Sequence, residues 1–137
     1  MITREQLGGD EVERRLREMR EIAEEVMTVI EDFDPFLIGS VLSGNIKRTS
    51  DIDLHAYCDD TSVLAAYLED FGYQDIEVEC VENRKGVFVH IKWSERSYPV
   101  ELTVYPWSWR DLTLFSSVTS KPMKRVDIDG LRRLLRR

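Results

Sequence analysis

The sequence predicts a mixed α+β domain, with one mixed β-sheet and helices packed mainly on one face. Three observations lead there. The chain opens with a long amphipathic helical pattern, then alternates short strand-like and helical runs. Three strand-like runs follow in succession before a final helical segment. With 137 residues, 42% hydrophobic and 33% charged, the chain reads as a single globular domain, residues 1–137, with a core of ordinary size.

Residues 10–33 carry Val12, Leu16, Met19, Ala23, Val26, Ile30 and Phe33 in alternating steps of four and three, the apolar seam of a helix. Asp10 with Glu13 three residues on predicts an N-terminal cap. The seam suits either packing on the chain's own sheet or a coiled-coil dimer. Asp34-Pro35 ends the helix. Phe36-Leu37-Ile38 predicts a short buried strand, and Gly39-Ser40 a turn. Over 51–58, Ile52, Leu54 and Ala56 alternate with Asp51, Asp53, His55 and Tyr57, which predicts a two-faced strand. Residues 61–71 have helical spacing, a cap at Asp60 or Thr61 and a stop at Gly72. Strands are expected at 75–82, 86–93 and 98–105, and a last helix at 128–137 with Asp127 as its cap. The core of the domain is placed at 36–105 and a basic tail at 121–137.

The net charge of −7 argues against a nucleic-acid-binding surface overall. The tail is different: Lys121, Lys124, Arg125, Arg132, Arg133, Arg136 and Arg137 outnumber Asp127 and Asp129. It reads either as a phosphate-contacting segment or as a solvated helix face. No apolar run approaches the roughly 20 residues of a membrane span, and the N-terminus lacks a signal-peptide pattern. A cytoplasmic location is therefore expected, with Cys58 and Cys80 as buried free thiols. Two histidines without clustered cysteines argue against structural zinc.

Asp51 and Asp53 project from one strand face, where like charges repel unless a cation lies between them. Hard carboxylate oxygens suit Mg²⁺, and such a pair can serve two ions spaced for in-line phosphoryl transfer. Upstream, Gly39-Ser40 lies at a strand-to-helix turn, where free backbone N–H groups favour an anion. The alternative is a tight turn with Ser40 as N-cap.

"IGS", ten residues, then "DIDL" resembles the signature of the nucleotidyltransferase superfamily that includes DNA polymerase beta. Gly44 and Ser50 stand where small members commonly have Gly and Ser. Val41 departs from the pattern, because many minimal members carry Arg there. The resemblance covers about residues 30–105. It implies a nucleotidyltransferase fold and a third carboxylate on a later strand, which "PVELTVY" supplies as Glu101.

In the residues themselves, Ser94-Glu95-Arg96-Ser97 reads as a four-residue hairpin loop pairing Trp93 with Tyr98 and placing His90 opposite Glu101. Val87, Val89, Ile91 and Trp93 then share a face with Tyr98, Val100, Leu102 and Val104. The other face carries Phe88, His90, Lys92, Glu101 and Thr103. Glu101 is there either a metal ligand or half of a surface ion pair with Lys92 or His90. Trp107, Trp109 and Phe115 suit either stacking of a base or sugar or packing on the sheet.

The implied activity is metal-dependent transfer of a nucleoside monophosphate from an NTP to a hydroxyl acceptor, releasing pyrophosphate. Asp51, Asp53 and Glu101 are the expected catalytic and metal-binding residues, holding two Mg²⁺, with Mn²⁺ as an alternative. Gly39, Ser40 and Ser50 are the expected nucleotide contacts, and Lys47, Arg48 or Lys92 would offset phosphate charge. The acceptor, whether nucleic acid, small molecule or protein, is left open. The small size suggests a partner subunit, as antitoxin-type relatives have, or a homodimer. The competing reading is a non-catalytic module of the same fold that binds nucleotide, RNA or a partner. A helical interaction protein built on residues 10–33 would explain the helix and none of the site.

Overall fold

A computed structural model describes residues 7–84, 86–111 and 123–136 of the chain. Phe115, Lys121 and Arg137 lie outside the described residues. Helix α1 runs Gly9–Val29 and is followed by a 3-10 turn at Glu31–Phe33. Its start corrects the expected cap. Gly8 is the N-cap and no side chain caps the helix, so Asp10 and Glu13 lie inside it. Asp10 and Glu11 still favour the positive helix end from the first turn. The seam is buried inside the chain at Met19, Ala23, Val26, Ile30 and Phe33, with Val12 and Leu16 half-buried against the same core. It is therefore not available as a dimer seam. Asp34, left-handed at φ 50°, turns the chain into Pro35 and strand β1, Phe36–Ile38.

The remaining elements are α2 (Gly39–Ser43), β2 (Ile52–Tyr57), α3 (Thr61–Phe71), β3 (Glu77–Asn83), β4 (Gly86–Glu95), β5 (Tyr98–Tyr105) and α4 (Ile128–Leu135). Asp60 caps α3 by accepting from the Ser62 N–H, and Asp127 caps α4 by accepting from the Gly130 N–H. The sheet order is β1-β2-β5-β4-β3. The β2–β5 pairing is parallel and the others antiparallel. Backbone bonds between Leu37 and Val126 in both directions add a partner to β1.

The β4–β5 hairpin is tighter than expected. Ser94 and Glu95 extend β4, and the turn is Arg96-Ser97 alone, both residues at positive φ (49° and 71°), as two-residue hairpin turns require. The register moves accordingly: Lys92 pairs with Glu101, Trp93 with Val100, and His90 with Thr103 rather than Glu101. A shift by an even number of residues leaves each side chain on its expected face.

One face is the core. Ile52, Leu54 and Ala56 of β2, Val100, Leu102 and Val104 of β5, and Ile91 and Trp93 of β4 are buried in one cluster. Residues of α1 and α3, together with Leu131 of α4, complete it. On the opposite face, pairing aligns Asp53, Glu101, Lys92 and Glu77 in one row across β2, β5, β4 and β3. The next row carries His55, Thr103, His90 and Glu79.

Further along this face the aromatics form a layer of their own. Trp107 stacks on Tyr57 and Trp109 on Tyr105, while Phe88 meets both Tyr105 and Trp109 edge-on. Trp107 and Trp109 thus pack on the sheet. Burial within the layer, and then the neighbouring Tyr57, push the Tyr105 hydroxyl up to about 12. Cys58 is buried, and its thiol donates to the Asp60 carbonyl. Cys80, expected to be buried, is exposed, because β3 is an edge strand left uncovered along most of its length.

Arg20 links α1 to α2. Its Nε donates to the Val41 carbonyl at 2.9 Å and its Nη2 to the Leu42 carbonyl at 3.0 Å. These carbonyls lie at the end of a helix of five residues, where no intrahelical donor follows. Arg20→Ala is expected to destabilise the protein by about 1.5–3 kcal/mol, the range for hydrogen bonds to a charged donor. A urea midpoint within error of wild type would show that α2 does not depend on this guanidinium.

Candidate metal and nucleotide site

Asp53 and Glu101 are directly paired residues on parallel neighbours, so their side chains leave the sheet side by side. Asp51 precedes β2 at the end of a short turn. The Lys47 N–H donates to Ser50 Oγ at 2.8 Å and the Ser50 N–H to the Lys47 carbonyl at 3.1 Å, closing that turn. One carboxylate oxygen from each of Asp51, Asp53 and Glu101 lies within 4.8 Å of the other two. Burial, and then the charges of Glu101 and Asp51, push the Asp53 carboxyl up to about 7. A group of hard oxygens held together against repulsion fits a divalent cation of the Mg²⁺ type.

Gly39 is shaped around the same carboxylate. Ile38 pairs with Asp53 across β1 and β2, and a Cβ on Gly39 would lie 2.9 Å from Asp53 Oδ2. Gly39 also has φ +72°. Both facts restrict the position to glycine. The Gly-Ser pair opens α2 directly, with Ile38 in the N-cap position, so Ser40 is not the N-cap. The first N–H groups of α2 have no intrahelical partner by construction. Val41 is fully buried in the core and does not reach the site's surface.

The basic candidates are distributed differently. Arg48 grips Glu11 of α1 through two contacts of 3.2 and 3.1 Å, while Lys47 is exposed. Lys92 lies across from Glu101 in register, but its Nζ is 2.9 Å from Glu79 Oε2. Glu79 is the main cause of the raised Lys92 pKa, with Glu101 and Asp51 adding to it. His90 Nδ1 lies 3.1 Å from Glu101 Oε1, so β4 supports Glu101 from behind. A groove of about 590 Å³ adjoins the cluster, lined among others by Asp51, Lys92, Trp93, Arg96 and Glu101. Arg20 was missed in the sequence because its partners lie 21 and 22 residues away, beyond any local pattern.

No family model matches the chain, and no curated protein sequence does. Solved structures do resemble it. A cytoplasmic RNA terminal U-transferase aligns at 20% identity and a TM-score of 0.47, covering 73% of this chain and 31% of that protein. Cid1 in complex with the UTP analog UMPNPP aligns at 14% identity and a TM-score of 0.46, covering 66% and 30%. The GLD-2/RNP-8 complex aligns at 18% and 0.43, covering 73% and 34%. These are nucleotidyltransferase-superfamily proteins, the family whose signature the sequence resembles. The chain spans about a third of their length.

The Asp53 shift has a consequence for the metal-free protein. A carboxyl whose folded pKa of about 7 exceeds its ordinary 3.8 binds a proton more tightly in the folded than in the unfolded state. Stability is therefore lost as pH rises from about 4 through about 7. Asp53→Asn removes this titration, so its melting temperature is expected to exceed that of wild type at pH 8 and to depend less on pH. Parallel pH profiles for the two proteins without metal would refute the assignment.

Proposed function

We propose that the chain is a metal-dependent nucleotidyltransferase, transferring a nucleoside monophosphate from an NTP to a hydroxyl acceptor. The observation carrying this reading is the meeting of Asp51, Asp53 and Glu101 beside a glycine that only leaves room for Asp53. Asp51 and Asp53 are the proposed shared ligands of two Mg²⁺, with Mn²⁺ as an alternative, and Glu101 is a ligand of one. When bound, such ions supply charge neutralisation for the triphosphate and a lowered pKa for the acceptor hydroxyl.

The residues then divide the work. The backbone N–H groups at Gly39 and Ser40, with the Ser40 hydroxyl, hold phosphate oxygens. Ser50 shapes the turn that presents Asp51 and is a further proposed nucleotide contact. Lys47 is the cation offered to phosphate, and Lys92 would join it only by exchanging Glu79 for phosphate, whereas Arg48 serves the site by fixing the 47–50 turn to α1. Glu101, oriented by His90, takes the acceptor proton. The acceptor oxygen bonds to the α-phosphorus, the bond from that phosphorus to the bridging oxygen breaks, and pyrophosphate leaves.

The test is a screen of labelled NTPs with Mg²⁺ or Mn²⁺ against RNA, small-molecule and protein acceptors, with Asp51→Ala as the blank. Two variants assign the roles. Ser40→Ala is expected to weaken NTP binding by about tenfold, near 1.4 kcal/mol, with turnover at saturation little changed. Glu101→Gln is expected to keep NTP affinity within about threefold and to lower turnover at least about 100-fold. Pyrophosphate release and calorimetric affinity on the same samples provide both numbers. Equal, affinity-only effects from the two variants, with wild type silent across the screen, would instead favour a binding module.

In a second measurement, Mg²⁺ with NTP should raise the melting temperature of wild type, and EDTA should abolish the rise. Asp53→Asn should show no such rise. An undiminished shift in that variant counts against metal-mediated nucleotide binding.

A further inference from the structure

Helix α3 turns Leu64, Ala65 and Leu68 into the core and leaves Val63, Tyr67 and Phe71 exposed at 45%, 44% and 56%. These three stand at i, i+4 and i+8, so they form one stripe along the helix. They are half of the six large hydrophobic residues exposed among the described residues. Scattered apolar side chains are normal on a surface, whereas a stripe beside a groove marks an interaction site.

Such a groove exists between α1 and α3, with a volume of about 760 Å³. Val29, Tyr67 and Phe71 give its apolar lining, and Glu21, Glu24, Glu25 and Asp70 its acidic one. Its two arginines are already engaged, Arg132 with Glu24 at 3.2 Å and Arg96 with Glu25 at 3.8 Å. Glu21 and Asp70 form no ion pair among the described residues. The surplus charge is negative, which disfavours nucleic acid and a second acidic copy of this chain.

The chain itself contains an example of what α1 accepts. Helix α4 buries Leu131 and lies against α1 with Arg132 on Glu24 and within 3.5 Å of the Thr28 hydroxyl. It is an apolar stripe flanked by arginines, docked on an acidic helix. The groove offers the same pairing of chemistry on the α3 side, with two aromatic anchors added.

We propose that the α1–α3 groove is the docking site for a basic amphipathic helix of a partner protein. Apolar side chains at i and i+4 of that helix would seat against Tyr67, Phe71 and Val29. Its Lys or Arg residues would meet Glu21 and Asp70. The surface lies on the helix-covered side of the sheet and the carboxylate cluster on the other, so docking does not depend on the proposed activity.

The probe is a labelled synthetic helix of about 18 residues, roughly five turns, with Leu at i, i+4 and i+8 flanked by Arg, followed by fluorescence anisotropy. The full chain should bind it at low salt with a Kd below about 10 µM, and binding should weaken as salt is added. A matched peptide with Glu in place of Arg should not bind. Phe71→Asp should weaken binding at least about tenfold, as should the milder Phe71→Ser. Asp70→Lys should weaken it and flatten the salt dependence. Circular dichroism and melting temperature report whether each variant is folded, and at least one Phe71 variant should be, because that side chain is already half exposed. The proposal would be overturned by no binding to wild type, by equal binding of the acidic peptide, or by unchanged affinity in a folded Phe71 variant. A concentration-dependent dimer dispersed by Phe71→Asp would overturn it in favour of self-association.

Discussion

The parallel pairing of β2 with β5 is the constraint on which the rest of the site depends. It sets Asp53 beside Glu101 residue for residue, a placement that two acidic side chains would not choose by themselves. Parallel neighbours require a crossover, and the chain uses it to form α3, β3 and β4 before β5 returns to the middle of the sheet. β4 then brings His90 and Lys92 to the far side of Glu101, while β1 brings Gly39 against Asp53. The repulsion is contained because the other face of both strands is fixed. Ile52, Leu54 and Leu102 are fully buried and Val100 nearly so, hence neither strand can rotate its carboxylate away without moving the core.

This division of one sheet into two chemistries explains what was legible in sequence. Alternation along β2 and β5 is local, so Ile52-Asp53-Leu54 and Val100-Glu101-Leu102 disclose their two faces directly. The Gly39 requirement was visible only as a motif. Its physical reason, the proximity of Asp53 Oδ2, comes from the pairing of β1 with β2. The hairpin register was hidden because Arg96 and Ser97 take positive φ without the Asn or Gly that usually announces such a turn. The missing cap of α1 was hidden for the opposite reason, since Asp10 and Glu13 offer a plausible pattern that Gly8 pre-empts. Exposure of Cys80 depends on which strand ends at the sheet's edge, which no local pattern encodes. Contacts such as Arg20 with α2, Arg48 with Glu11 and Arg110 with Asp34 join segments that are 21 to 76 residues apart.

The open face is itself divided. Beyond His55 it is covered by Tyr57, Phe88, Tyr105 and the tryptophans stacked on the two tyrosines, and its polar rows lie toward the Asp53–Glu101 end. Arg125 reinforces the covered end, donating to the Tyr57 hydroxyl at 2.7 Å and lying 4.1 Å from the Phe36 ring centroid. Aromatic side chains here cover that end of the sheet and leave the carboxylate row at the other.

Charge balance in that row leads to a last step. Val41 faces the core, so the position where many minimal family members carry Arg holds a buried apolar side chain here. Arg48 is held by Glu11 and Lys92 by Glu79, which leaves Lys47 as the exposed cation of the 47–50 turn without a carboxylate partner among the described residues. Against this stand three carboxylates, and the burial that raises the Asp53 pKa also strengthens every charge interaction around it. On the proposed reading, the described side chains alone would leave a triphosphate facing an acidic surface. Ions bound with the nucleotide would supply neutralisation, and affinity for either ligand should then depend on the presence of the other.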